Sequence, residues 1–438
     1  MFKTLRNAWS VPELRKKLLY TLLIVLLFRI GTAVPVPFLD PSALQQMLQS
    51  AEGAGNLLGY LDILSGGAFA SATLFALSIT PYITSSIVIQ LLTVAIPALE
   101  RMAKEGEDGR KKIQRITRYT TVGLALLQAF AYYTLLRNQY QAVAYTEGWT
   151  GVFAACVIIS AFCGGAMLIV YLGERIDEHG IGNGISLLLF AGIVSRGYNA
   201  VKRLWDYFAL GFMGENPELK YLILVPLIVV LFLALIIAII IMTNAERRIP
   251  IQYAKRVVGR KMYGGNASYL PVKVNMSGVM PIIFASSLLA IPGTIAAFVN
   301  VNPTGFMARF LSIFNHNTPV YGVLYFLLIL AFNYFYVAIQ YNPIELSNNL
   351  RNSSGTIPGI RPGRPTSDFI ARIISKITLI GGIILGLVAV LPIAVAGLTK
   401  MNISLGGTSI IIVVGVALDT FRQLESQMMM RHYKGFMD

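Results

Sequence analysis

KYLILVPLIVVLFLALIIAIIIMT, residues 220–243, carries no charge after Lys220, and none follows before Glu246. A helix that spans a bilayer needs about 20 predominantly apolar residues, so this stretch reads as a membrane span. Outward from it the same signal recurs in both directions. The expected spans are 18–35, 72–96, 118–136, 152–172, 184–200, 220–243, 276–299, 320–341, 373–395 and 405–421. The composition agrees, with 55% hydrophobic and 13% charged residues and a mean hydropathy of +0.64. An ordinary soluble domain carries about 25% charged residues. No segment between the spans is long enough for a soluble domain of its own, so the expected fold class is an all-α membrane protein of ten transmembrane helices.

The formal net charge is +15, and where the basic residues fall decides what that charge means. Most of the Lys and Arg residues lie in the N-terminal tail, the even-numbered loops and the C-terminal tail, whereas the first odd-numbered loop has none. The positive-inside rule then puts both termini in the cytoplasm. The fifth loop, with Arg196, Lys202, Arg203 and Lys220, is the exception. Ten spans divide into two halves of five that cross in opposite directions, as an inverted repeat requires. The expected halves are residues 1–200 and 201–438. An offset of 200 residues aligns Ile79, Pro81, Ile83 and Ser86 with Val279, Pro281, Ile283 and Ser286. The basic start leads into span 1 without an A-x-A-like site, so that span is expected to remain as an anchor. Cys156 and Cys163 sit on one apolar helix, roughly 10 Å apart along its axis, too far to bridge.

Several chemistries are absent from the spans. Ion-coupled transporters place ionisable side chains at mid-membrane, where a charge is costly and is kept for function. Here the spans are almost bare: Arg29 lies about mid-span in span 1 and Asp419 near the cytoplasmic end of span 10, and Arg29 is expected to snorkel or to pair with backbone carbonyls rather than to bind a substrate. The histidines His179, His316 and His432 form no H-E-x-x-H pattern, and the chain has neither a nucleophile elbow nor a Walker A loop. No enzyme is expected, no cofactor and no metal, and a partner must supply any motor. A secondary transporter of small solutes is the alternative reading; it calls for a midplane ionisable site, which these spans lack.

Two spans are unusual. Span 2 carries Thr80, Thr84, Ser85, Ser86, Gln90 and Thr93; span 7 starts at Asn275 and carries Pro281, Ser286, Ser287 and Pro292. Polar side chains on two facing helices make a seam that hydrogen bonds can close and that tolerates a polypeptide when it opens. Ordinary interhelical packing beside proline kinks would leave the same pattern. The outer segment before span 2 holds a short apolar stretch with Leu57, Leu58, Leu61, Ile63 and Leu64, followed by Ser65, Gly66 and Gly67. So short a stretch is unstable as a helix in water and is expected to pack on or within the membrane domain. Cytoplasmic loops 244–274 and 342–372 are long and basic. Charge alone does not choose among anionic lipid, RNA phosphates and an acidic protein surface for them.

The stretches FRIGTAVPVP (28–37), SGGAFASATLFALSITPYI (65–83), GIGNGIS (180–186), YAKRVVGRK (253–261), PVKVNMSGVMPIIFASS (271–287), NPIELSNNL (342–350), PGIRPG (358–363) and GGTSIIIVV (406–414) together resemble the SecY family, the central channel subunits of the bacterial Sec translocon. The resemblance implies an hourglass of two five-helix halves hinged between spans 5 and 6, in the bacterial inner membrane. It implies a pore ring of Ile79, Ile83, Leu189, Ile283 and Ile412, with Leu189 a departure from the family's usual isoleucine. Residues 57–67 would be the plug. Spans 2 and 7 would be the lateral gate, with Ser86, Gln90, Asn275 and Ser286 as its polar contacts. Arg256, Arg260, Lys261 and Arg361 would serve docking. The implied partners are SecE, SecG, the SecA motor and the ribosome, through rRNA and proteins at its exit tunnel. Signal sequences and nascent chains would be the cargo, and anionic lipids the surroundings.

Overall fold

The computed structural model describes residues 9–49, 65–138, 141–213, 219–253, 256–258, 261–263, 267–298, 318–399 and 407–434, with the single residues 6 and 62. The helices in chain order are α1 (Pro12–Gly31), α2 (Ser42–Gln49), α3 (Thr80–Ala95), α4 (Pro97–Lys104), α5 (Glu107–Asn138), α6 (Gly148–His179), α7 (Gly184–Met213), α8 (Leu219–Asn244), α9 (Met280–Phe298), α10 (Pro319–Gln340), α11 (Pro343–Asn352), α12 (Arg364–Thr399) and α13 (Gly407–Lys434). Each expected span overlaps one of them. Five of the described stretches are long and apolar enough to cross a bilayer, or six if α3 and α4, bent by 105° at Ile96, count as one. The other four spans meet a helix but carry fewer apolar residues in it. Arg15, Lys16, Lys17 and Arg29 sit in α1, charged turns extend α5 and α13, and the apolar part of α9 ends at Pro292.

Two expected boundaries move. Residues 72–79 were expected to open the second span as helix, but the chain makes turns until α3 begins at Thr80, with Pro81 in its first turn. Ala72 and Ser78 adopt left-handed φ of 44° and 52°. Val36 N–H donates to Ala72 and Leu74 N–H to Val34, so pairing with residues 34–36 replaces the helical ladder. The division at 200/201 falls inside α7, which runs on to Met213 and carries Arg196, Lys202 and Arg203 as helix rather than loop.

Packing starts from the apolar faces. Helix α3 packs on α5 and α5 on α6, and a cluster that includes Ala129, Tyr132, Ile158 and Phe162 joins α5 and α6 to the turns before α3 through Phe69 and Leu77. Helix α1 lies against α6 and α7; α7 meets α8, and α8 meets α12 and α13. Helix α9 packs on α10 within its own half and on α3 and α5 of the other. The outward faces of α1 and α8 keep Leu22, Leu26, Ile30, Leu227, Val230 and Ile237 exposed, the pattern of helices solvated by lipid.

The loop between α8 and α9 is a β-structure. Strand β1 (Glu246–Tyr253) pairs antiparallel with β4 (Ala267–Lys273) and, on its other edge, with β5 (Gly355–Thr356). A smaller hairpin, β2 (Arg256–Val258) with β3 (Lys261–Tyr263), forms its tip. Alternation on β1 turns Ile249 and Ile251 inward. There Ile249 joins Val272, Ile357, Ile370 and Ile374 in a cluster that seats the sheet on the ends of α10 and α12.

Candidate functional site

Ile79, Ile83, Leu189, Ile283 and Ile412 come from four separate elements: the residue capping α3 and its first turn, α7, α9 and α13. All five are buried, from 1% exposed at Ile79 and Ile412 to 8% at Ile83, and all belong to one apolar cluster. Leu189, the departure from isoleucine, points into that cluster with the rest. The cluster runs through both halves of the chain, taking Phe28 and Ile169 from one and Tyr325 and Leu385 from the other.

Local sequence positions these side chains. In the turn before α7, Gly182 takes a φ of 90°, which suits glycine. Asn183 Oδ1 accepts from Ser186 N–H at 3.0 Å and Asp177 Oδ1 from Gly184 N–H at 2.7 Å. A side chain on Gly184 would strike the Gly173 carbonyl at 2.0 Å, so α6 and α7 meet backbone to backbone. Ile181 N–H donates to Thr21 Oγ1, which fixes the turn to α1. Helix α3 is fixed from outside by Ser85 Oγ, which donates to the Thr117 carbonyl of α5 at 2.9 Å.

Leu57, Leu58, Leu61, Ile63 and Leu64 of the expected plug lie outside the described residues. Its base is described, and it is fastened to the helices around it. Asp62 is 6% exposed; its carboxylate accepts from Ala70 N–H at 2.8 Å and pairs with Arg196 of α7. Arg29 of α1 donates to Ser195 Oγ at 3.0 Å and to the Gly66 carbonyl at 3.5 Å. Gly66 and Gly67 have φ of 67° and 95°; a Cβ on Gly66 would lie 3.0 Å from Gly192 Cα, and one on Gly67 3.1 Å from the Arg196 guanidinium. Arg29 thus serves a backbone carbonyl, as a structural residue would.

Helices α3 and α9 face each other, yet the hydrogen bonds of the expected gate residues stay within their own helices. Gln90 Nε2 donates to Ser86 Oγ at 3.2 Å, and Ser286 Oγ to the Ile283 carbonyl at 2.9 Å. Asn275 turns elsewhere. Its Oδ1 is buried without a partner, and it lines a cavity of about 350 Å³ with Lys273, Gln340, Asp419 and Arg422. Arg422 donates to the Thr243 carbonyl and to Asn244 Oδ1, capping the end of α8 from α13.

Of the expected docking residues, Arg256 and Lys261 stand on β2 and β3, and Arg260 lies outside the described residues. Arg361 is exposed in the turn before α12, where its carbonyl accepts from Thr366 Oγ1 at 2.8 Å.

Three features escaped the sequence reading: the Asp62–Arg196 pair, the role of Ser195, and a buried network of Ser277 with Asn333. One signal was available. Asp62 was an acid in a segment free of bases, and Arg196 a base on the side where bases are rare. Such complementary exceptions are what a pair leaves behind.

The SecY family model matches residues 73–421. A protein translocase subunit SecY from Streptomyces galbus is 42% identical, covering 100% of both chains. A chain solved as the structure of a protein-conducting channel aligns with a TM-score of 0.65 at 18% identity, covering 96% of each chain. Sec61 in the canine ribosome–channel complex from the endoplasmic reticulum aligns at 0.61 and 17%, again over 96% of each.

Proposed function

The chain belongs to the SecY family, and from that premise we propose that it is a passive channel through which unfolded polypeptides cross the bacterial inner membrane. The observation that carries this reading is the single buried cluster in which Ile79, Ile83, Leu189, Ile283 and Ile412 meet from four elements. A narrow constriction of aliphatic side chains dewets and so stops ions. It also offers a passing chain no hydrogen-bond partner to hold it, so passage tolerates any sequence. Ten spans, two inverted halves and cytoplasmic termini complete the architecture.

The segment 57–67 acts as the plug, seated through Asp62, Gly66 and Gly67. Helices α3 and α9 form the lateral gate. When they part, a segment in the pore samples lipid, where each central Leu, Ile, Phe or Val gains roughly 0.3–0.6 kcal/mol and each central charge loses about 2.5–3.5. Apolar segments therefore leave sideways and polar ones continue outward. The work comes from partners: SecA or a ribosome at the β1–β4 sheet and Arg361, with SecE and SecG completing the channel. The likeness to a ribosome-bound Sec61 chain favours the ribosome as one of them. A small-solute transporter gains no support from any of these observations.

Photocrosslinking from positions 83 and 283 to a secretory chain arrested in reconstituted membranes tests the path. Crosslinks at both positions are expected; transit shown by protease protection without them would move the path elsewhere.

A further inference from the structure

The segment that leads into α9 is held by buried polar groups. Ser277 Oγ, 4% exposed, donates to Asn333 Oδ1 of α10 at 2.5 Å. Asn333, equally buried, donates from Nδ2 to the Thr378 carbonyl of α12 at 2.8 Å. Glycines allow this closeness: a Cβ on Gly381 would lie 2.3 Å from the Val274 carbonyl, and one on Gly382 2.7 Å from Asn333 Nδ2. Residues 274–277 are therefore fixed to two helices at once.

One residue further the backbone itself has space around it. Gly278 has a φ of 64°, and the nearest atom a Cβ there would meet is Asp419 Oδ2 at 3.8 Å. Gly278, Val279 and Met280 line the 350 Å³ cavity, so the backbone has room to turn. Above it, α9 holds α10 through edge-to-face contacts of Phe284 with Phe332 and Tyr336. Apolar contacts slide without stranding a polar group, whereas parting Ser277 from Asn333 leaves buried donors and acceptors unsatisfied. Polar bonds hold the root, and apolar contacts hold the shaft.

Resting on the gate reading above, we propose that Asn333 is the positioning residue of the gate: it pins the root of α9 to α10 and α12, and α9 swings from α3 about Gly278. The gate then opens above residue 278 while the root stays in place.

Distances between paired spin labels test this in the full-length chain, reconstituted with its partner subunits and with Cys156 and Cys163 replaced. Three pairs of exposed positions are compared, idle and holding an arrested chain with an apolar signal. Lys273 with Leu379 reports the root, Ile291 with Leu387 the shaft, and Val88 with Ile291 the gate. The shaft and gate distances are expected to lengthen while the root distance keeps its narrow distribution. Ser277→Ala should broaden the root distribution, and Asn333→Leu should do so more; if the leucine variant fails to fold, the serine variant carries the test. A gate that lengthens with an unchanged shaft means that α3 moves instead, which overturns the hinge and spares the gate. A root that lengthens with the shaft, or stays narrow in Ser277→Ala, overturns the anchor. A gate distance unchanged by the arrested chain removes the gate reading itself.

Discussion

At Asp62 a carboxylate is held almost wholly out of water, and what makes that tolerable is Arg196 on a helix far away in sequence. Removing one partner of a fully buried pair costs roughly 3–5 kcal/mol, because it strands the other charge. The cost here is smaller, since Arg196 keeps 25% of its side chain exposed. Asp62→Ala is therefore expected to lower the melting temperature of the purified channel more than Asp62→Ala combined with Arg196→Ala does. A double variant less stable than the single one would remove the pair from this role. At the ring the logic is reversed, because only apolar contact is at stake. Replacing Ile83 and Ile283 with glycine deletes side chains that fill the constriction, and resting ion leak in planar bilayers should rise. Unchanged conductance would count against these residues as the seal. That the five residues proposed for the ring share one cluster was foreshadowed in the sequence, where they sit inside motifs, ITPYI and MPIIF among them. The Asp62–Arg196 pair was not, because no local period links residues so far apart.

The elements divide in the same way. The long apolar helices α6, α8, α10 and α12 announce themselves by length and hydropathy. The start of α3 does not, because Ala68 to Ile79 contains neither glycine nor proline and reads as helix. Only its pairing with residues 34–36 turns it into a chain of turns, a tertiary contact overriding local propensity. Loops 244–274 and 342–372 read in the sequence only as long and basic, and β1 to β5 are the structure they adopt. The sheet rests on Ile249, Ile357 and Ile370, while Arg361 stands outside this core in an exposed turn. Arg361→Glu should thus leave the folding stability within about 0.5 kcal/mol of wild type while weakening motor-driven translocation. Full motor-driven activity in that variant would take Arg361 out of docking.

For the whole molecule, one apolar cluster takes side chains from both the first and the second half of the sequence, and in the proposed function it is the seal. A partner docked as proposed acts on it from the side that bears the β1–β4 sheet, so orientation decides whether the parts can work together. On the positive-inside rule we propose that this sheet, both termini and the turn after α11 lie in the cytoplasm, and the turn before α6 outside. Thr146→Cys, next to the exposed Trp149, should react with an impermeant maleimide in intact cells. Ser353→Cys, in the exposed turn after α11, should react only after the membrane is opened. Both are made with Cys156 and Cys163 replaced, since Cys156 is itself exposed on α6. The reverse labelling pattern would turn the sheet and Arg361 away from any cytoplasmic motor or ribosome. The channel would then have no energy source on its loading side, and the proposed function would fail at this scale even with every ring residue in place.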